Sequence, residues 1–358
     1  MLLELLYPLK KFWTPFNLFG YITFRAAYAA VTSFLLVIIF IPLYIKLSRK
    51  YNLREKISED VPKRHREKEG TPTAGGIVIT LSVLVSIFLW GDLKNIFLYA
   101  SLSAFLGFAL IGFFDDLLKI KKGKGLAQVP KFLLQIAITL LFISFYFNLY
   151  PSEIRFKTQM IFFKNILIPF GILYPFLLFF MYLGTINSVN LTDGLDGLAA
   201  GVSAPVIFAF VVLAYAGGHT KIADYLNILF ISKSWEIAVF GSALLGATVG
   251  FLWYNFYPAE IFMGDTGSHA IGGGIAAMAA LIKHELLLPI AGFVFVMEAL
   301  SVMIQVFSYR RFGKRVFLIA PIHHHFEEKG ISETKIVIRF WIISLISSLI
   351  AVSTLKIR

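Results

Sequence analysis

Asn187-Ser188-Val189-Asn190-Leu191-Thr192-Asp193-Gly194-Leu195-Asp196-Gly197 lies between two long apolar runs, at about 170–190 and 197–216, and contains no lysine or arginine. An amide or carboxylate recurs at every third position. In a straight α-helix a three-residue step falls short of a full turn by about 60°, so Asn187 and Asn190 can share a face while Asp196 points nearly opposite to Asn187. Gly194 and Gly197 let the backbone turn. The stretch reads as a helix end running into a tight polar loop at a membrane surface. Two uses stay open: a ligand site for a cation or a phosphorylated sugar nucleotide, or a capped turn, since Asn, Asp and Gly are ordinary cap and turn residues.

The flanking runs belong to a longer series. The chain has 358 residues, 58% hydrophobic and 15% charged, with a mean hydropathy of +0.78. That composition excludes an ordinary soluble domain and implies a polytopic membrane protein. Apolar runs near the ~20 residues that span a bilayer as a helix occur at about 21–46, 75–90, 95–114, 131–148, 170–190, 197–216, 236–254, 267–282, 286–308 and 336–355. The expected fold is therefore all-α, a single polytopic domain over 1–358 with about ten transmembrane helices. The runs are continuously apolar rather than alternating, which disfavours a β-barrel. Residues 1–20 place Lys10 and Lys11 after an apolar start, the reverse of a signal peptide, and suit an interfacial segment.

The connections after spans 1, 3 and 9 carry 20 of the 33 lysines and arginines, against 11 for both termini and the other connections. By the positive-inside rule the rich side is cytoplasmic and both termini are extracytoplasmic. The net charge of +12 then sits mainly where anionic lipid or substrate would meet it. No nucleic-acid partner is expected. With no cysteine, disulfides and thiolate metal sites are excluded.

Five polar clusters fall on this same side. Thr71-Pro-Thr73-Ala-Gly-Gly76 follows Lys68, and its glycine N–H groups at a helix start suit an anion or a simple cap. Asp115-Asp116 ends span 3 beside Lys119, and reads either as ordinary solvated residues at a helix end or as the pairing of carboxylates and lysines that phosphoryl transfer needs. The quoted stretch is the third. Span 7 ends at Asn255 and leads through Phe262 into Gly264-Asp265-Thr-Gly267, where Asp265 is a metal-site or cap candidate; the later Gly272-Gly273-Gly274 suits close helix packing. Glu298 is an ionisable residue at membrane depth and so a functional candidate, with Gln305 further along the same helix. His323-His324-His325 follows a basic segment. Histidines at i and i+2 do not share a helix face, so a zinc-binding helix is not implied; a loop that hydrogen-bonds phosphate or carboxylate groups fits better.

Taken together, Pro72 to Gly76, Asp115-Asp116, Asn187 to Gly197, Gly264 to Gly267 and Pro321-Ile-His-His-His-Phe-Glu327 closely resemble the polyprenyl-phosphate N-acetylhexosamine-1-phosphate transferase family. The histidine segment resembles its phospho-N-acetylmuramoyl-pentapeptide branch. The resemblance runs from about span 1 to span 10. It implies an integral bacterial inner-membrane enzyme, dependent on Mg²⁺, that moves phospho-MurNAc-pentapeptide from UDP-MurNAc-pentapeptide to undecaprenyl phosphate in peptidoglycan synthesis, giving lipid I and UMP. A homodimer is also implied. By that likeness Asp265 is associated with the metal, one of Asp115 and Asp116 acts as base or nucleophile, and Asp193, Gly194, Leu195 and Asp196 with Phe262 form the uridine side. Catalytic roles are expected for Asp115, Asp116, Asp265 and His324. Substrate contacts are expected at Lys68, Thr73, Lys119, Asn187, Asn190, Asn255, Gln305, His323 and His325 as well.

The chemistry agrees with this reading. A lipid phosphate must attack a pyrophosphate, so metal and lysines have to offset repulsion between two anions. The alternatives are a relative using UDP-GlcNAc, against which the histidines count, and a secondary transporter, which would place its charges near the bilayer midplane in repeated halves. No such repeat is evident.

Overall fold

The computed structural model describes residues 1–51, 70–163 and 166–356. Ten long helices follow the ten apolar runs: α1 (Ile22–Lys50), α2 (Gly76–Trp90), α3 (Ile96–Lys122), α4 (Gln128–Tyr146), α5 (Tyr174–Thr192), α6 (Leu198–Gly218), α7 (Trp235–Asn255), α8 (Gly264–Leu281), α9 (Phe293–Phe312) and α10 (Glu333–Ser353). Their ends are set by local chemistry. Asn95 caps α3 by accepting from the Phe97 N–H at 2.9 Å, and Gly123 closes it with φ +70°. Three lysines in the last turn of α3 face the negative end of its dipole.

Eight of the ten are long and apolar enough to cross a membrane. The other two differ for physical reasons. At 15 residues α2 is short, about 22 Å at helical rise. Glycine-rich α8 is buried at every position from Asp265 to Leu281, so its surroundings are protein rather than lipid and high hydropathy is not needed. It packs chiefly on α3 and α5. The triple glycine provides for that packing, because a Cβ on Gly272 would lie 2.8 Å from Ile186 Cα and one on Gly273 2.6 Å from the Phe108 ring.

The all-α expectation holds for the bundle, and one short β pairing lies outside it. Lys157–Gln159 (β1) and Leu167–Pro169 (β2) pair antiparallel, with Thr158 opposite Ile168. This hairpin stands in the connection between α4 and α5, where the sequence shows no interpretable motif. The N-terminal segment is a short helix, Leu2–Leu6, with 3-10 turns from Tyr7 to Gly20. It leaves Phe12 and Trp13 exposed, in keeping with an interfacial role.

The helices alternate in direction, so their ends form two faces. On one, Arg25 donates to the Trp90 carbonyl at 3.2 Å and pairs with Glu236, and the Asp92 N–H reaches Glu236 Oε2 at 3.0 Å. On the other face lie the sequence clusters singled out above. Two glycines allow that convergence: a Cβ on Gly112 of α3 would overlap the Asp265 carbonyl, and one on Gly76 would overlap the Gly267 amide. Gly112→Ala is expected to destabilise the protein by about 1–3 kcal/mol through overpacking. Gly184→Ala, where a Cβ meets nothing within 4 Å, should stay within about 0.5 kcal/mol. Unfolding in detergent compares the two.

Candidate active site

At the junction of α3 and α8 the carboxylates of Asp115, Asp116 and Asp265 bring ligand atoms within 4.8 Å of one another, and all three residues are buried. Asp115 and Asp116 are adjacent on α3 and point about 100° apart, and the structure gives them different work. Asp116 Oδ1 accepts from the Asp265 N–H at 2.9 Å, and Oδ2 accepts from the Thr266 N–H at 2.9 Å and the Thr266 hydroxyl at 2.6 Å. It thus caps the first turn of α8 from a neighbouring helix, satisfying N–H groups that have no partner within α8 itself. Asp115 faces the basic side. Its Oδ1 accepts from the Leu126 N–H at 2.9 Å, and Oδ2 lies 3.1 Å from Lys119 Nζ.

Two lysines bridge Asp115 and Asp265. Lys119 lies 3.4 Å from Asp265 Oδ1; Lys131 of α4 pairs with Asp265 Oδ2 and lies 3.7 Å from Asp115 Oδ1. Three carboxylates against two ammonium groups make a partly neutralised, oxygen-rich cluster, the donor set of a hard divalent cation such as Mg²⁺ that also meets phosphate. Asp265 is the carboxylate best suited to hold it, because Asp116 is committed to the α8 amides and Asp115 faces the Leu126 N–H and Lys119. In the sequence Lys131 stands out only as one charge of a basic connection. Its signal was a polar Gln135 one helical turn further along an otherwise apolar α4.

Asn187 to Gly197 form the end of α5, a turn, and the start of α6, with Gly197 at φ +76°. Its asparagines reach helices on either side: Asn190 Oδ1 accepts from Ser268 Oγ at 2.8 Å, and Asn187 Nδ2 donates to Gln135 Oε1 at 2.9 Å. Asp196 Oδ2 accepts from the Ala259 N–H at 3.0 Å, and Asn255 Oδ1 accepts from the Gly197 N–H at 3.1 Å. These contacts fold the α7–α8 connection onto the turn. Leu195 is buried in the core, while Asp193 and Gly194 are half-buried.

Of the two uses the sequence leaves open for the glycines at the start of α2, the structure does not show the anion site, because their N–H groups are taken up by main chain. Gly75 donates to the Phe262 carbonyl and Gly76 to the Met263 carbonyl, each at 2.9 Å, while the Phe262 N–H returns to Pro72 at 2.8 Å. The segment is a short main-chain ladder that places Phe262 and Asp265, and Thr73 is buried within it. Lys68 lies outside the described residues.

The histidines stand on a short helix, Ile322–Glu328, rather than on the expected loop, and so point in different directions. His323 is fully buried, with Nδ1 3.1 Å from Glu298 Oε2; this gives the membrane-depth acid its partner. Gly194 leaves room for its ring, since a Cβ there would overlap Nε2. His324 is part-exposed, with Nδ1 2.6 Å from Glu327 Oε2. His325 Nδ1 accepts from the Leu318 N–H at 3.1 Å; burial and then Lys329 lower its pKa, keeping the imidazole neutral for that role. Gln305 holds the same connection, accepting from Val316 and Phe317 N–H groups at 3.0 Å.

Comparison with known proteins points the same way as the geometry. The profile described as "Glycosyl transferase family 4" matches residues 97–283. Over the full length of both chains, this protein is 47% identical to the phospho-N-acetylmuramoyl-pentapeptide-transferase of Thermodesulfovibrio yellowstonii and 46% identical to that of Desulfotalea psychrophila.

Proposed function

The chain belongs to glycosyl transferase family 4 and, within it, to the phospho-N-acetylmuramoyl-pentapeptide-transferases, and from that premise we propose that it transfers phospho-MurNAc-pentapeptide from UDP-MurNAc-pentapeptide to undecaprenyl phosphate. The observation that carries the reading is the Asp115–Asp116–Asp265 cluster with Lys119 and Lys131 at one end of a bundle of apolar helices. A lipid acceptor explains why such a cluster belongs in a membrane protein, and a water-soluble nucleotide donor explains why it lies at the helix ends.

In this reading an oxygen of the lipid phosphate forms a bond to the sugar-bearing phosphorus, and the bond from that phosphorus to the bridging oxygen breaks, releasing UMP and leaving lipid I. Mg²⁺, held by Asp265, would supply charge stabilisation to the pyrophosphate. Lys119 and Lys131 offset the repulsion between the two anions. Asp115, beside Lys119 where the lipid headgroup arrives along α3, takes the proton from whatever fraction of acceptor still carries one. Asp116 holds Asp265 in place through the first turn of α8. The turn at Asp193 to Asp196 with Phe262 forms the uridine side, and the histidine helix meets the sugar-phosphate or peptide. Asn187, Asn190, Asn255, Gln305 and Thr73 support these walls.

Purified protein supplied with polyprenyl phosphate, Mg²⁺ and either UDP-MurNAc-pentapeptide or UDP-GlcNAc tests the assignment. UMP release is expected with the first donor. Release with UDP-GlcNAc alone would move the chain to another acceptor-donor pair of the same chemistry. His324→Ala should lower turnover on the order of 10²-fold with the unfolding midpoint unchanged; full turnover would remove His324 from the site.

The site face is assigned to the cytoplasm of a bacterial inner membrane, with both termini outside and with the enzyme a homodimer. A cysteine in place of Lys314 should resist an impermeant thiol reagent applied to intact cells and react once the membrane is opened. Labelling from outside would invert the topology.

A further inference from the structure

Near the site α4 packs on α3 and α5, so its link to α8 is made by long side chains. Two such links lie at the site end of the helices, one helical turn apart; a third, from the Tyr146 hydroxyl to the Ala280 carbonyl at 3.3 Å, lies at the far end. Lys131 on α4 reaches Asp265 on α8. Four residues further on each helix, Gln135 Nε2 lies 3.0 Å from His269 Nε2. Residues four apart share a helix face, so the two links are successive rungs about 6 Å apart along each axis.

The second rung has a fixed sense. Asn187 Nδ2 donates to the Leu183 carbonyl at 2.8 Å and to Gln135 Oε1 at 2.9 Å, which leaves Asn187 Oδ1 to face Gln135 Nε2 at 3.3 Å. The Leu183 carbonyl thereby sets both amides. Gln135 has then one N–H for Asn187 and one for His269, so His269 Nε2 must accept and the imidazole is neutral with its proton on Nδ1. Gln135 and His269 are both buried, and neither reaches the open side of the site. Every polar atom of the Gln135 side chain is committed, which gives a rung with one geometry rather than several.

We propose that Gln135 and His269 are positioning residues that hold α4 in register with α8, so that the Lys131 ammonium meets Asp265 and the phosphate beside it. The lysine stem has four rotatable carbons, and without a fixed α4 its head would sample positions away from the reacting phosphorus. This rests on the transferase reading above.

The test is a mutant cycle with Lys131, read as kcat, donor KM and unfolding midpoint. Gln135→Leu is expected to lower kcat by about 10- to 100-fold, the scale of an ångström-sized misplacement, with donor KM changed by less than about twofold. In a Lys131→Met background the same substitution should change kcat by less than about twofold, because residues acting through one another are not additive. His269→Gln, which keeps an acceptor for the Gln135 amide, should retain most activity where His269→Leu does not. If Gln135→Leu does not fold, the His269 pair is carried through the same cycle. An equal loss with and without Lys131, or a loss confined to KM, would overturn the proposal while leaving the transferase reading intact. A wild-type protein that releases no UMP would sink both.

Discussion

Asp265→Asn is expected to remove transfer by at least about 10³-fold, because a metal-held pyrophosphate is worth several kcal/mol of charge stabilisation. The loss should hold at every pH and come with weakened Mg²⁺ binding, measured by titration calorimetry on the folded variant. Asp115→Asn separates a metal or electrostatic role from a proton-accepting one. A phosphate monoester has its second pKa near 6, so the lipid acceptor is increasingly ionised as pH rises and depends less on a base. Asp115→Asn should therefore recover activity between about pH 6 and pH 9. A flat profile with a trapped phospho-enzyme would replace direct displacement by a two-step route through Asp115. Asp116→Asn should lower stability as well as activity, since a neutral amide presents only one acceptor oxygen to the three donors of Asp265 and Thr266.

The largest stability effect is expected at the opposite end of α8. Lys283 is fully buried just beyond that helix, 4.4 to 4.9 Å from the ring centres of Tyr146, Tyr150 and Tyr174. It donates to the Arg155 carbonyl at 2.9 Å and to the Tyr174 hydroxyl at 3.1 Å, and that hydroxyl donates on to Glu285. Thr158 of β1 also donates to Glu285. A buried lysine and glutamate bridged by a tyrosine thus tie α4, α5, the hairpin and the end of α8. Removing one member leaves the other buried and unpaired, so Lys283→Met should cost about 3–5 kcal/mol. Adding Glu285→Gln should restore part of it.

The pH dependence of this cage has a definite sign. Burial lowers Lys283 to about 7 from its ordinary value, so above pH 7 the unfolded chain holds a proton that the folded one has released. Wild-type stability then gains through this group as pH rises from about 7 toward 10. Burial raises Glu285 and Lys283 lowers it, so removing Lys283 raises it further. The gap between wild type and Lys283→Met in urea unfolding should widen with pH. A gap that narrows would mean that the cage is not ionised as described.

The positions of the helices were legible in the sequence because each long apolar run is its own signal: the run at 75–90 became Gly76–Trp90 and that at 236–254 became Trp235–Asn255. The hairpin was not legible, since its three-residue strands are fixed from outside, with the Gln159 N–H donating to the Lys283 carbonyl at 3.1 Å. The same limit applied to the site. Asp115, Asp116 and Asp265 could be selected by their residue type, and convergence of the odd-numbered connections follows from alternating spans. That Asp116 caps a helix starting 148 residues later has no local trace. Nor does the pairing of Asn187 with Gln135, 52 positions away. In both cases a polar residue expected at the site, Asp116 in catalysis and Asn187 in substrate binding, holds another part of the protein. Lys131 showed the converse: it entered the count of a basic connection, although its ammonium sits against two carboxylates.

The central claim is that an intact phospho-sugar moves to a lipid phosphate. Donor carrying ³²P only at the sugar-bearing phosphate, incubated with the protein, undecaprenyl phosphate and Mg²⁺, should pass its label into the organic-extractable lipid while the released UMP stays unlabelled. Label that remains entirely in the water-soluble fraction, in the presence of folded protein and both substrates, would contradict the account.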